Sequence, residues 1–137
     1  IPPEVGEIDY LGYSPRDRLL VILECKLVES AAEPALFRDD IQDFIEDGEK
    51  SYCAKFRRKI EWIVQNSGKV IPALASLGEF PSDMCPRAIA AAMITYYPTI
   101  AKYFIHDFPC DSLPVFVVRY EENNSWPYDT GIHKLAD

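Results

Sequence analysis

Apolar and polar positions alternate early in the chain. Over residues 7–13, Ile8 and Tyr10 alternate against Asp9 and Leu11, the period of a half-buried strand. Residues 1–6, with Pro2, Pro3 and Gly6, form an extended lead-in. Ser14-Pro15-Arg16-Asp17-Arg18 reads as a turn. Residues 19–28, LLVILECKLV, give the clearest strand, and the short connection makes the two an antiparallel hairpin. After a connection at 29–35, Ile41, Phe44 and Ile45 begin a helical face that Tyr52, Phe56, Ile60, Ile63 and Val64 continue. Gly48 either divides this stretch or sits inside one long helix, and Asn66-Ser67-Gly68 suits a helix stop. Pro72 interrupts an apolar run at 69–78 that fits a short helix, and 79–86 reads as loop. The segment 87–97, RAIAAAMITYY, is ended by Pro98 and fits a strand buried on both faces, because the flanking helices need a sheet to cover. Residues 98–105 suit a short helix, PVFVV at 114–118 a strand, and the tail from 121 is mostly loop. The order is hairpin, long helix, strand, helix, strand. This predicts a mixed α/β domain with helices packed on a small sheet.

Register adds chemistry to this pattern. Outward from the turn, Asp9 lands near the level of residues 24 to 26 on the partner strand. Glu24 and Lys26 are two apart and share one face. Two carboxylates at one spot repel and raise each other's pKa unless a cation lies between them. Mg²⁺ is held by one or two carboxylates together with waters and substrate phosphate oxygens. A nearby lysine orients or deprotonates a metal-bound water and offsets charge at phosphorus. The main-chain carbonyl of Cys25, between the two side chains, would complete the metal shell. The set Asp9, Glu24 and Lys26, with Asp9, Glu24 and Cys25 as metal ligands, therefore suits phosphodiester hydrolysis.

These residues also carry a resemblance. G-E-I-D on one strand, followed by an aliphatic strand ending E-C-K, resembles the PD-(D/E)xK nuclease superfamily, the restriction-endonuclease-like fold. Asp9 matches the first acid, Glu24 the second and Lys26 the lysine. The resemblance implies Mg²⁺ or Mn²⁺ bound by the two acids, water activation assisted by the lysine, and nucleic acid, foremost DNA, as substrate. It implies an α/β mixed sheet with an N-terminal β-hairpin flanked by helices. The motif spans about residues 6–28, and the following helix and the strand near 87–97 agree with the family's core order. The family's opening helix and strand have no counterpart in the six residues before the hairpin, and Ile8 stands where the motif places Pro. The chain reads as a single nuclease-like domain over 1–137 or as a fragment of a longer one. Two other readings stay open. One is a nuclease-fold binding or assembly module without catalysis, and the other is a structural domain whose hairpin end carries a solvated salt bridge.

Composition narrows the partners. A net charge of −8 argues against nonspecific coating of nucleic acid, which wants a positive surface. The one basic cluster, Lys55, Arg57, Arg58 and Lys59, is a candidate phosphate-contacting face, against a solvated face pairing with Glu49 and Glu61. Arg16 and Arg18 in the turn offer a weaker backbone contact, and Glu7 a weaker extra ligand. Gln42 and Tyr52 have the wrong spacing for an exonuclease-type pair, and His106 and His133 lack metal spacing. An acidic catalytic domain would lean on a homodimer or a separate DNA-recognition domain. Cysteines 25, 53, 85 and 110 form no CxxC pair and read as free thiols of a reducing compartment, with a Cys85–Cys110 bridge as the alternative. No apolar run approaches the ~20 residues that span a bilayer, and the acidic, proline-rich opening IPPEVGEIDY is unlike a signal peptide. An intracellular, cytoplasmic protein without membrane partners is the expectation.

Overall fold

The computed structural model describes residues 2–27 and 34–135. Its centre is a pair of parallel strands, β2 (Leu19–Lys26) and β3 (Ala88–Thr95), in register from Leu19↔Ala88 to Lys26↔Thr95. Every residue of β3 is buried, as expected of an apolar strand covered on both faces. β1 (Tyr10–Ser14) pairs antiparallel with β2 across the turn. On the other side of β3, β4 (Cys110–Ser112) runs parallel beside Met93–Thr95. β5 (Ile132–Lys134) runs antiparallel beside Ala88–Ala90. The sheet is thus five-stranded and mixed; the mixed α/β class is as expected, while β4 and β5 are strands that the sequence pattern did not announce.

The helices between β2 and β3 cover one face. α1 (Pro34–Ile41) leads through a π-helical turn at Gln42–Glu46 and a 3₁₀ turn at Gly48–Lys50 into α2 (Tyr52–Gln65). α2 buries Cys53, Phe56, Ile60 and Ile63, the three- and four-residue spacing of one helical stripe. These pack with Phe44 against Leu20, Ile22, Ile89, Ala91 and Met93 of the sheet. On the opposite face Leu19, Val21, Ala88, Ala90, Ala92 and Ile94 pack under Trp126, Phe116 and Tyr128.

The helical spacing from 41 to 64 is not one helix. Gly48 has φ of +59°, a conformation that favours glycine, and the chain breaks there. α2 then starts afresh from Ser51, whose Oγ accepts a hydrogen bond from the Ala54 N–H at 3.1 Å. Asn66 does end α2, but the chain enters α3 (Ser67–Ser76) at once, with Pro72 inside it. The loop expected at 79–86 contains a short 3₁₀ turn at Ser82–Met84, and the short helix expected at 98–105 is a 3₁₀ helix at Ile100–Phe104. The expected strand positions 27 and 28 fall beyond β2, and residue 28 and the connection at 29–33 lie outside the described residues.

One expectation is corrected. PVFVV is not a strand but lies in α4 (Leu113–Asn123). Its β-branched residues favour a strand only where a sheet face receives them. Here β4 has already taken the place beside β3 three residues earlier, and Pro114 in the first turn suits a helix start. α4 lays Phe116 beside Trp126 and Tyr128 and brings the Tyr120 hydroxyl 3.0 Å from Ser14 Oγ. The tail from 121 is mostly loop, as expected, with α4 running to Asn123 and β5 completing the sheet. Among the described residues no helix is long and apolar enough to cross a membrane.

Gly131 docks β5. Its carbonyl accepts from the Ala91 N–H at 2.9 Å, its φ is +78°, and a Cβ there would strike the Ala91 carbonyl oxygen and stand 2.7 Å from Pro109. Gly131→Ala is expected to cost about 3 kcal/mol in chemical denaturation, since both backbone strain and overlap oppose it. A loss within experimental error would show that the tail is not held this way.

Candidate functional site

The end of the hairpin collects the residues singled out from sequence. The register Tyr10↔Leu23 brings the residue before Tyr10 level with Glu24. The exposed Asp9 accepts a hydrogen bond through Oδ2 from the Cys25 N–H at 2.8 Å. The strand pleat turns Glu24 to the same face as Leu20 and Ile22, beneath α2. Glu24 is only 4% exposed. Lys26, next on that face, holds Nζ 3.6 Å from Glu24 Oε1 and 4.4 Å from the centre of the Tyr52 ring. Asp9, Glu24 and Lys26 therefore converge.

A fourth member joins them. Lys59 of α2 places Nζ 2.7 Å from Glu24 Oε2 and 3.1 Å from Oε1. Its stem runs under the lead-in, where a Cβ on Gly6 would lie 3.3 Å from Lys59 Cε. Sequence reasoning placed Lys59 in a phosphate-contacting cluster. The signal for its actual position was the helical stripe itself, because residue 59 lies three after Phe56 and four before Ile63, on the buried side. The rest of the cluster diverges, as about 100° of rotation per residue requires. Lys55 is exposed, Arg58 is half-buried, and Arg57 forms a two-pronged pair with Asp107 at 2.6 and 2.9 Å. That pairing holds the Asp107 carboxyl below its ordinary range and raises the Arg57 guanidinium.

Electrostatically the site is balanced: two carboxylates face two ammonium groups. Burial pushes the Glu24 carboxyl above its ordinary value of 4.5, with Asp9 adding to the rise and Lys59 and Lys26 opposing it. Cys25, assigned a metal ligand through its carbonyl, engages Asp9 through its N–H and lines an apolar cleft. Its thiol is pushed up by burial and by the two acids. Among the described residues no group of three or more His, Cys, Asp or Glu side chains is gathered as a closed metal cage needs. Two carboxylates do fit a hard ion that keeps most of its waters. Asp9 spends one oxygen on Cys25 and retains the other, while Glu24 meets such an ion in competition with Lys59.

The remaining candidates stand apart. Glu7 and Arg16 are exposed. Arg18, at φ +52°, donates to the Cys85 carbonyl at 2.8 and 3.0 Å and so braces the turn against the loop before β3. Gln42 donates to Asp47 at 3.3 Å. His106 is exposed and His133 lies on β5. All four cysteines are free, which rules out the Cys85–Cys110 bridge. Comparison with known proteins adds no kinship to this geometry: no family model matches the sequence, and neither does any curated protein or solved structure.

Lys59→Met tests the buried pair. It leaves the buried Glu24 without its hydrogen-bonded cation, with only the Lys26 ammonium at 3.6 Å, and is expected to cost about 3 kcal/mol near neutral pH. Because the folded-state pKa lies above 4.5, stability linked to Glu24 is present at lower pH and is lost as pH rises through the raised value. Removing Lys59 raises that value further. The destabilisation should therefore shrink as the pH is lowered and Glu24 takes up its proton. Urea titrations of both proteins across the acidic range would show this, and a pH-independent difference would mean that the ion pair does not govern Glu24.

Proposed function

We propose that the chain is a metal-dependent phosphodiesterase that cleaves nucleic acid, with DNA as the substrate class the PD-(D/E)xK resemblance favours. The observation that carries this reading is the burial of Glu24 beside Asp9 and Lys26 at the end of an aliphatic strand. A solvated salt bridge at a hairpin tip would leave its acid in water, whereas Glu24 is 4% exposed. The surroundings support the same reading. The hairpin is followed by helix and then by β3 parallel to β2, the core order that the resemblance implies.

Asp9 and Glu24 would hold Mg²⁺ or Mn²⁺, which when bound supplies Lewis acidity and an acidified water. Lys26, 3.6 Å from Glu24, sits where a positive charge can face the phosphate and share a proton with the attacking water. Tyr52 fixes the direction of its ammonium from below. At a net charge of −8, backbone contacts would come from a second copy or a separate recognition domain. One observation favours a second reading, a binding or assembly module without catalysis: Lys59 already supplies Glu24 with a cation at both oxygens.

Plasmid nicking in Mn²⁺, paired with calorimetric titration of the ion, decides between them. The wild type is expected to bind Mn²⁺ and nick. Asp9→Asn and Glu24→Gln should each lower the rate by at least about 100-fold, the scale of a removed charge-stabilising group. Lys26→Met should lower the rate while leaving ion affinity nearly intact. Ion binding should weaken on acidification, because burial favours the protonated form of Glu24. A folded protein that binds no Mn²⁺ and cleaves neither plasmid nor single-stranded DNA would leave the assembly module.

A further inference from the structure

β1 stands at the border of the sheet. It pairs with β2 alone, so one of its two long sides is open among the described residues. Which backbone groups face that side follows from β2. The Lys26 carbonyl points toward β3, where it accepts from the Tyr96 N–H at 3.1 Å. The Cys25 N–H points the other way, to the end of β1, where Asp9 accepts it. Backbone direction alternates along a strand, so Leu19, Val21 and Leu23 share the side of Cys25 and turn their N–H and C=O groups to β1. Their partners there are Ser14, Gly12 and Tyr10. The residues between them, Leu11 and Tyr13, therefore aim both backbone groups outward. No backbone group among the described residues takes these up.

The usual devices that keep an edge strand from pairing are missing here. Tyr10–Ser14 reads YLGYS, without charge or proline, and its register with β2 runs unbroken, without a bulge. Space is open on both faces of the edge. On the α2 face the exposed Leu11 borders a groove that it shares with Ile8 and Trp62. On the other face the exposed Tyr10 borders an apolar cleft with Leu23 and Phe116. Tyr13 is held from behind, its ring 5.1 Å from Phe80 and its hydroxyl donating to the Met84 carbonyl, which fixes this end of the edge. Charge completes the pattern. The exposed acids Glu7 and Asp9 precede the strand, and the exposed Arg16 follows it. A strand with an acidic start, a neutral middle and a basic end complements itself when reversed.

We propose that the open edge of β1 pairs antiparallel with β1 of a second copy about a two-fold axis at Gly12, joining the two five-stranded sheets into one. Centring the axis on Gly12, the middle of the strand, overlaps the whole of β1. It sets Leu11 opposite the partner's Tyr13, and Tyr13 opposite the partner's Leu11. Both residues aim outward, so each such pair exchanges both of its N–H···O=C bonds. Gly12 meets its own copy at a position without these bonds, where the chains come closest. Its bare Cα also seats the Tyr10 ring, since a Cβ there would stand 2.6 Å from Tyr10 Oη. The strand itself is uncharged, so the −8 of each copy is not gathered at the join, and Asp9 falls beside the partner's Pro15 and the partner's Arg16. The axis keeps both α2 helices, and with them both Asp9–Glu24–Lys26 sites, on one side of the joined sheet. The interface does not rest on the hydrolytic reading of those sites.

Sedimentation velocity over rising protein concentration, paired with amide hydrogen exchange read by NMR, tests this. The wild type should pass from monomer to dimer, and the Leu11 and Tyr13 amides should slow in step as the dimer fills. Leu11→Lys sets a charge on the edge of each copy and should weaken association at least about 10-fold. Leu11→Pro deletes an outward N–H and leaves the β1–β2 ladder its bonds, so it should weaken association as well. Circular dichroism melts check the fold, and the exposed side chain at position 11 keeps Leu11→Lys informative if the proline variant unfolds. A wild type that stays monomeric into the high micromolar range overturns the proposal. So does a dimer whose Leu11 and Tyr13 amides exchange as fast as the monomer's, or one that Leu11→Lys leaves intact. An edge-paired dimer that neither binds Mn²⁺ nor nicks plasmid upholds the interface and removes the hydrolytic reading, and nicking by a strict monomer does the reverse.

Discussion

The contact between Glu24 and Lys59 is where the fold and the site constrain each other. Glu24 ends the buried part of β2, and Lys59 comes from the face of α2 that packs on the same strand. A buried carboxylate this close to a hydrophobic core is tolerable only with a partner, because desolvating an isolated charge costs several kcal/mol. The pair therefore fixes more than charge. It sets the height of α2 along the sheet, since Nζ must reach both oxygens while Phe56, Ile60 and Ile63 fill the space beside it. Asp9 and Lys26 are then held in relation to a carboxylate that cannot move far. A solvated hairpin tip would have no such rigidity.

This explains which parts were readable from sequence. The hairpin, its register and the convergence of Asp9 with Glu24 and Lys26 follow from local rules: a turn sets register and a pleat sets faces. The all-buried β3 was readable from its lack of polar residues, despite the helix preference of its alanines. Lys59 was harder, because a lysine inside the run KFRRK looks like one charge among several. Only the phase of the helix shows that position 59 turns toward the sheet while Lys55 turns away. Arg57 found a partner fifty residues on, which no local pattern announces.

The failure at PVFVV has a different cause. Strand propensity measures fit to a pleated, half-buried surface, and the surface beside β3 was already divided between β4 and β5. With no place left beside β3, the segment became a helix, leaving Leu113, Val115, Val117 and Val118 partly open to water. Their exposure is the residue of a topological constraint, and a reader of one segment cannot see it. The same limit hid β5, whose three residues have no strand signature and are placed by Gly131 against Ala91.

The two parallel strands also account for where polar chemistry can gather. β2 and β3 run side by side from Leu19 and Ala88, and both stay apolar until their carboxyl ends. There the character changes on both at once. β2 delivers Glu24 and Lys26, and β3 delivers the buried Thr95 followed by Tyr96. In open α/β sheets ligands settle outside the carboxyl ends of the strands, because the helices that cover the faces leave that edge free. In this chain β1 brings Asp9 to the same edge from the opposite direction, and the Tyr96 N–H ties the aromatic segment to it through the Lys26 carbonyl. Acid, base and rings thus come from three separate stretches of sequence. What unites them is that parallel pairing makes two strands end together and an antiparallel hairpin makes a third begin where they end.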